Sequence, residues 1–476
     1  MDQKTDWNGK RVVILGGARQ GQAAARWLAR HGAVVTVNDH RNAEEMTAAR
    51  SALAGIPVTW VLGSHPVEIL DTADILCISG GVPLDNPLVV AAVQRDIPLT
   101  NDTQIFMEEA PCRTVGITGS AGKTTTTTLV GQMARNAEVG MQNAEQQNHH
   151  SSFTIHHSYI GGNIGDPLLN YVDEMTPDTL AILEISSFQL EQMMISPDVA
   201  AILNITPNHL DRHGTMEAYT AAKRHILEFQ RADNTAILNR EDSRSWNLRG
   251  DVHGRLVSFG SGAFPSDQEG TFLAGSILYL RQHGVEMPLL RSEQIQLRGA
   301  HNVMNILAAF AIGYAAGLPL DAMISAAKEF HGVAHRLEFI REWKGAQWYN
   351  DSIATAPERT MAAIHSFTEP IVLLLGGRDK NLPWEELAAL VRQRVEHVVL
   401  FGEAAGKIGA ALDRAAGPLP LTLSRCKDLE EAVQAAAQVA RPGSIVLLSP
   451  GGTSFDQFDD FEERGKAFRK WVSELS

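Results

Sequence analysis

Short runs of aliphatic and β-branched residues recur along the chain, each trailed by a stretch of helical period, and that alternation leaves few folds open. RVVILGG, AVVTVND and ADILCISGG punctuate the first part, with helical patterns over 22–30 and 88–93. RTVGITG, LAILEIS and VAAILNI follow, then an irregular β-looking stretch and an apolar helix after His301. From LEFIREWKGAQWYND onward, EPIVLLLGG, EHVVLFG and GSIVLLSPGG alternate with helices starting near Pro383, Ala404, Leu429 and Asp459. Near-continuous apolar strands separated by helices belong to parallel sheets covered on both faces. An α/β chain of three domains is expected, over 1–110, 111–332 and 333–476. Its 476 residues suit that number at about 150 residues per domain.

Charge narrows the partners. Lys and Arg total 41 against 55 Asp and Glu, a net charge of -14, so nucleic acid and anionic lipid are not expected to be drawn by the overall field. An anionic ligand would need local donors. Cys77, Cys112 and Cys426 form no CxxC pair, which fits a reducing compartment and makes the cytoplasm the expected location. No export signal or membrane span is expected from the apolar patterning.

Two turns carry phosphate chemistry. After RVVIL, Gly16-Gly17-Ala18-Arg19-Gln20-Gly21 leads into a helix, and a second strand ends at Asp39. This approaches a dinucleotide fingerprint, with Ala18 in place of the middle glycine, so there is less room for a pyrophosphate. The second turn is more specific: RTVGI leads into Thr118-Gly119-Ser120-Ala121-Gly122-Lys123-Thr124-Thr125 and a helix over 126–134. Backbone N–H groups at such a turn cradle phosphate, Lys123 adds a positive charge, and Thr124 offers a hydroxyl to Mg2+. Regular spacing would place glycine at Ile117, so the loop is a shortened variant. Glu184 ends an apolar strand, where a carboxylate can meet a hard cation. His209 lies just past the next strand and Lys223 within a helical pattern. The polar stretch 136–158, rich in Gln and His, lacks a clear period and reads as a solvated surface insertion dispensable for chemistry. A metal site at its His149, His150, His156 and His157 is disfavoured because no Cys or carboxylate stands at ligand spacing.

TGSAGKTTT, GGNIGDP, EISSFQLE, NITPNHLDRHG with AAKRHI, GAHNVMNILAA, HRLE and NDSIATAP occur in the order and spacing of the Mur ligases of peptidoglycan synthesis. VVILGGARQGQAAA, SGGVPL, LLLGGRDK and SPGGTSFDQFDDFEERG resemble the glutamate-adding members, and the likeness spans nearly everything outside 136–158. The resemblance implies a Rossmann-like UDP-binding domain, a central ATPase domain and a Rossmann-like domain for the incoming amino acid. It implies an ATP-dependent ligase that joins D-glutamate to UDP-N-acetylmuramoyl-L-alanine through an acyl phosphate, as a cytoplasmic monomer serving cell-wall growth, cell shape and division.

Site residues carry over by position. ATP would meet Gly119, Ser120, Ala121, Gly122, Lys123, Thr124 and Thr125, with Asn302 and Asn305 at the adenosine, Arg336 at phosphate and Asp351 near the ribose. Mg2+ would sit on Thr124 and Glu184, and a second ion on His209 and on Lys223 as a carbamate. Arg19, Gln20, Gly21, Asp39, Arg41 and Gly81 would hold the uridine diphosphate end, and Asn163, Ser186 and Gln189 the muramoyl-alanine part. Thr355, Lys380, Ser454 and Phe461 match positions for the amino acid. One residue departs from the pattern: Ile353 stands where the family usually has lysine, and Arg378 is the nearest replacement cation in sequence.

Other readings fit less well. Folylpolyglutamate synthases share the ATP loop but not the first 110 residues, and a GTPase would need an NKxD motif that is missing. A non-catalytic nucleotide-gated binder conflicts with the intact Lys123, Thr124, Glu184, His209 and Lys223 set. L-glutamate remains the alternative acceptor.

Overall fold

The computed structural model describes residues 5–146, 155–208, 210–262, 264–265, 267–417 and 421–476. The first sheet is wholly parallel, with strands β1 (Arg11–Leu15), β2 (Val34–Asp39), β3 (Val58–Leu62), β4 (Ile75–Ile78) and β5 (Leu99–Thr100) in the order 3-2-1-4-5. The second contains β6 (Arg113–Thr118), β7 (His157–Gly162), β8 (Thr179–Glu184), β9 (Val199–Ile202), β10 (Thr235–Asn239), β11 (Arg255–Gly260), β12 (Gly270–Ala274), β13 (Ile277–Gln282) and β14 (Val285–Arg291). Their order is 14-13-12-11-10-9-6-8-7, with only β12, β13 and β14 pairing antiparallel. That meander is the irregular β-looking stretch of the sequence. The third sheet runs 15-16-20-17-18-19 through β15 (Glu338–Trp343), β16 (Ala346–Asn350), β17 (Ile371–Gly376), β18 (Val395–Phe401), β19 (Thr422–Arg425) and β20 (Ile445–Gly451), antiparallel only between β15 and β16. The expected α/β class with three parallel-rich sheets is what the chain forms.

Burial explains the strand sequences. Every residue of β8, β9, β10, β17 and β20 is buried, as helices on both faces of a parallel sheet require. In each sheet a strand lies between neighbours that run on in opposite directions of chain order: β1 between β2 and β4, β6 between β8 and β9, β20 between β16 and β17. Ligands of open α/β sheets bind beyond the carboxyl ends of strands at such reversals. The candidate residues gather at those ends.

The chain divides into two compact units, one running to Ile295 and taking in Ala300–Phe330, the other made of Gln296–Gly299 and His331–Ser476. Within the first unit, hydrogen bonds join the layers of the two sheets. Trp27 Nε1 donates to Asp173 at 3.0 Å, Arg26 to Asn170 at 2.7 Å, and Asn101 Nδ2 to the Gln189 carbonyl at 2.9 Å.

The stretch 136–158 differs from its sequence reading. The helix after the phosphate loop does not end near Ala134 but continues as Lys123–Gln146. Leu129, Val130, Met133, Ala134, Ala137 and Met141 are all buried, a helical spacing that the intervening Asn, Glu and Gln residues obscure. His157 and Ser158 open β7, and His149 and His150 lie outside the described residues. No helix among the described residues is long and apolar enough to cross a membrane.

Candidate active site

The carboxyl ends of β6, β8 and β9 bring the phosphate loop, Glu184 and Asn204 together. Gly122 has φ +84°, and a Cβ there would lie 2.3 Å from Asn305 Oδ1, so only glycine suits the turn. The loop is fixed from β9: Ala121 N–H donates to Asn204 Oδ1 at 2.8 Å, Asn204 Nδ2 donates back to the Ala121 carbonyl at 3.0 Å, and Ser120 Oγ donates to the Thr206 carbonyl at 2.9 Å. Asn204 was not singled out in the sequence. It is the first polar residue after an apolar strand, the same signal that marks Glu184.

Lys123 Nζ donates to the Gly119 carbonyl at 2.7 Å, curling over the loop. Thr124 Oγ1 donates to Glu184 Oε2 at 2.8 Å and Asn163 Nδ2 donates to Glu184 Oε1 at 2.9 Å. Glu184 is only 2% exposed, and a buried carboxylate beside the Thr124 hydroxyl is a pair of oxygen donors suited to a hard cation such as Mg2+. Asn305 Nδ2 donates to Asn302 Oδ1 at 3.0 Å, on the helix Ala300–Ala316. Thr125, the third residue of the loop helix, is buried.

Lys223 lies on the helix Met216–Glu228 and is 1% exposed. Its Nζ donates to Thr118 Oγ1 at 3.3 Å and sits 4.7 Å from the centre of the Tyr219 ring. Burial, with the charge of Lys123 added, drives its ammonium well below the usual lysine range. Loss of the proton leaves a nucleophilic amine. Tyr219 also meets Ser120, hydroxyl to hydroxyl at 3.1 Å, tying this helix to the phosphate loop. His209 lies outside the described residues. Among the described residues no group of three or more His, Cys, Asp or Glu is placed to hold a metal.

A second cluster forms beyond β1 and β4. Gly21 permits close approach of helix and strand, since a Cβ would fall 1.9 Å from the Gly16 carbonyl oxygen. Asp39 spends its oxygens inside the protein, accepting Gly17 N–H at 2.8 Å, Arg41 N–H at 3.0 Å, and Arg41 Nε and Nη2 at 2.9 and 2.7 Å. Burial alone would raise its carboxyl, but Arg41 and the two backbone donors outweigh that and hold it well below the usual range. Asp39 therefore presents Arg41 rather than a free carboxylate. Gln20 Oε1 accepts Gly80 N–H at 3.2 Å, Arg19 Nη1 donates to the Gly165 carbonyl at 2.9 Å, and Arg212 Nη1 reaches the Gly81 carbonyl at 3.3 Å. Ser186 and Gln189 form a capping box on the short helix Ser187–Leu190. Gln189 is fully buried, its Oε1 accepting from Ser186 Oγ at 2.8 Å and its Nε2 donating to Thr103 Oγ1 at 2.7 Å.

The remaining residues belong to the second unit, at the ends of β16 and β20. Arg336 is exposed between two residues of positive φ, His335 (+64°) and Leu337 (+44°). His335 N–H donates to Glu338 Oε2 at 2.9 Å and Leu337 N–H to Asp351 Oδ1 at 3.2 Å. Backbone held in this region is a feature of functional sites, and nothing in HRLE signals it. Burial pushes Asp351 up to about 7 against the pull of Ser449, Leu337, Arg336 and Arg359. Thr355 and Phe461 are half-buried, Ser454 is buried and Lys380 exposed. Arg378 cannot stand in freely for the lysine missing at Ile353, because Glu403 accepts from its Nε and Nη2, each at 2.9 Å. Sequence reading also missed Arg464. Fully buried on the helix Phe461–Glu474, it donates to Ser352 Oγ at 3.0 Å, the Ser352 carbonyl at 2.8 Å and the Gly452 carbonyl at 3.1 Å, joining the loops after β16 and β20.

Three family models match the chain in succession: the Mur ligase MurD-like N-terminal domain over 10–101, the Mur ligase middle domain over 117–313 and the Mur ligase glutamate ligase domain over 335–452. The UDP-N-acetylmuramoylalanine--D-glutamate ligase of Symbiobacterium thermophilum is 37% identical over 469 residues, covering 98% of each chain. That of Acidobacterium capsulatum is 38% identical, covering 98% of this chain and 96% of its own. Among solved structures, MurC of Thermotoga maritima has a TM-score of 0.53 at 18% identity, over 98% of this chain and 100% of its own. MurF of the same organism, in complex with ADP, has a TM-score of 0.52 at 18% identity, over 98% and 96%. The three sheets in sequence, the phosphate loop at the middle one and near full-length identity to these ligases lead to one conclusion: the chain belongs to the Mur ligase family, in its MurD-like branch.

Proposed function

We propose that this ligase joins D-glutamate to UDP-N-acetylmuramoyl-L-alanine at the expense of ATP, in cytoplasmic assembly of the peptidoglycan precursor. The observation that carries the reading is the gathering of Lys123, Thr124, Glu184 and buried Lys223 at the carboxyl ends of β6, β8 and β9. Forming an amide from a carboxylate needs a better leaving group than oxide. The carboxylate of the alanyl substrate attacks the γ-phosphorus of ATP, ADP departs, and the resulting acyl phosphate is attacked by the amine of glutamate with release of phosphate.

In this reading the phosphate-loop amides and Lys123 hold the β- and γ-phosphates, and Arg336 offsets charge on the transferring group. Thr124 and Glu184 are the residues that fit Mg2+, which would neutralise phosphate charge when bound. Lys223, whose burial disfavours the ammonium form, would add to CO2 to give a carbamate and a released proton, and with His209 would offer anionic and imidazole ligands to a second ion. Asn302, Asn305 and Asp351 take the nucleoside. Arg19, Gln20, Gly21, Arg41 and Gly81 take the uridine diphosphate end, with Asn163, Ser186 and Gln189 towards the muramoyl-alanine. Thr355, Lys380, Ser454 and Phe461 take the glutamate. The domain limits 1–110, 111–332 and 333–476 go with this division of labour.

Purified protein given ATP, Mg2+, UDP-N-acetylmuramoyl-L-alanine and either D- or L-glutamate tests it by phosphate release and product mass. Phosphate release that requires both acceptor substrates, faster with D-glutamate, is expected. Release without glutamate, or no product with either enantiomer, overturns it.

A further inference from the structure

Among the described residues, Arg336 and Arg359 make no ion pair with a carboxylate, although both act on the buried carboxyl of Asp351. The loop after β16 folds tightly: Ala354 N–H donates to the Asp351 carbonyl at 2.9 Å, Thr355 N–H to the Ile353 carbonyl at 2.9 Å, and Ile353 N–H to the His335 carbonyl at 3.1 Å. Arg359 stands in the first turn of the helix Pro357–His365 and is exposed. Its Nη1 reaches back to the Ile353 carbonyl at 3.3 Å, so the guanidinium lies against the backbone of the very residue whose side chain carries no charge. Arg378 is held by Glu403 and Lys380 points from an exposed position. A guanidinium with one N–H on a carbonyl and, among the described residues, no carboxylate paired with the others is set to take an oxyanion.

We infer that Arg359 is the oxyanion-binding cation of the acceptor site, supplying from the helix after the loop the charge that Ile353 does not supply from within it. The oxyanion is a carboxylate of the incoming amino acid or the transferring phosphoryl group. The inference rests on the ligase reading, and the two fail differently.

The test compares wild type, Arg359→Ala, Arg359→Lys and the double variant Ile353→Lys/Arg359→Ala, with kcat and KM measured separately for glutamate and for ATP, and Tm recorded for each. Loss of one charge-assisted contact predicts that Arg359→Ala loses about tenfold or more in kcat/KM. The double variant recovers most of that loss, because lysine returns a cation to the same loop. A rise in KM for glutamate alone assigns the carboxylate, and a fall in kcat with KM for ATP raised assigns the phosphoryl group. Arg359→Ala within twofold of wild type overturns the inference, as does a double variant as slow as the single one at unchanged Tm. A wild type that makes no amide product overturns the ligase reading instead.

Discussion

At the scale of single residues the site rests on a few charges whose neighbours decide what they do. Lys123→Ala removes the loop's own side-chain cation, so turnover is expected to fall by about 3 kcal/mol of barrier or more, a hundredfold at least. Steady-state phosphate release checks it, and near-normal release would contradict the role. Lys223→Ala is expected to be inactive and to regain part of its activity with added acetate, since a small carboxylate can replace the oxygens of a carbamate. Full activity without acetate would refute that. Lys123, Thr124 and Glu184 were legible because strand, turn and helix place them by spacing alone. Arg464, Asn204 and the two positive-φ residues around Arg336 were not. Their roles depend on partners from distant strands, and a lone Arg or Asn carries no periodicity to betray it. Asp39 is legible as a position but not as a role, because nothing in the spacing shows that Arg41, two residues on, takes up its oxygens.

Helices and strands follow the apolar pattern closely where residues are buried on one clear face. The exception is the helix Lys123–Gln146, whose second half looks like a polar insertion. Ala137 and Met141 are its only described buried contacts beyond Arg135, a sparse stripe among Asn, Gln and Glu. Met141→Ala should cost about 2 kcal/mol or more of stability, read as a lower urea midpoint, while kcat stays near wild type. Excision of the whole of 136–158 should therefore destabilise the fold, in contrast to the dispensable loop expected from composition. An unchanged midpoint in Met141→Ala would return that stretch to the loop reading. In the first sheet Gly21→Ala forces a Cβ against the Gly16 carbonyl. Overpacking of this kind costs roughly 1–3 kcal/mol, and uridine-nucleotide binding should weaken with it, as calorimetry would detect.

For the molecule as a whole, two buried carboxyls couple folding to pH. Asp102, whose Oδ1 has no partner among the described residues, is pushed by burial from 3.8 to about 7, and Asp351 likewise. Each is protonated when folded and ionised when unfolded between those values, so its folded state binds the extra proton. Stability is then fullest at the acid end of the window, falls as pH rises towards about 7 and levels off above. Asp102→Asn should raise the urea midpoint more at pH 8 than at pH 5; an equal shift at both would show that titration is not the cause. Three successive sheet-bearing stretches were readable from alternating patterns, whereas the strand orders and the grouping into two compact units were not. That grouping arises from side chains such as Trp27, Asn101 and Gln189, which bond across sequence distances no local pattern records.

The four residues Gln296–Gly299 carry a practical meaning for anyone cutting this protein into pieces. They fold with the second unit although the chain then returns to the first. Arg298 holds them there, pairing with Glu369, donating to Gln347 at 2.6 Å and lying over the rings of Tyr349 and Phe367. A fragment that starts at His331 has a complete sheet but leaves these four groups without their guanidinium. It should melt lower than the same unit in the intact chain, by about 1 kcal/mol of stability given how exposed the ion pair is, and a short peptide spanning 293–302 supplied in trans should give part of that back. What looks in the sequence like one continuous module is, as a folding piece, borrowed in part from upstream.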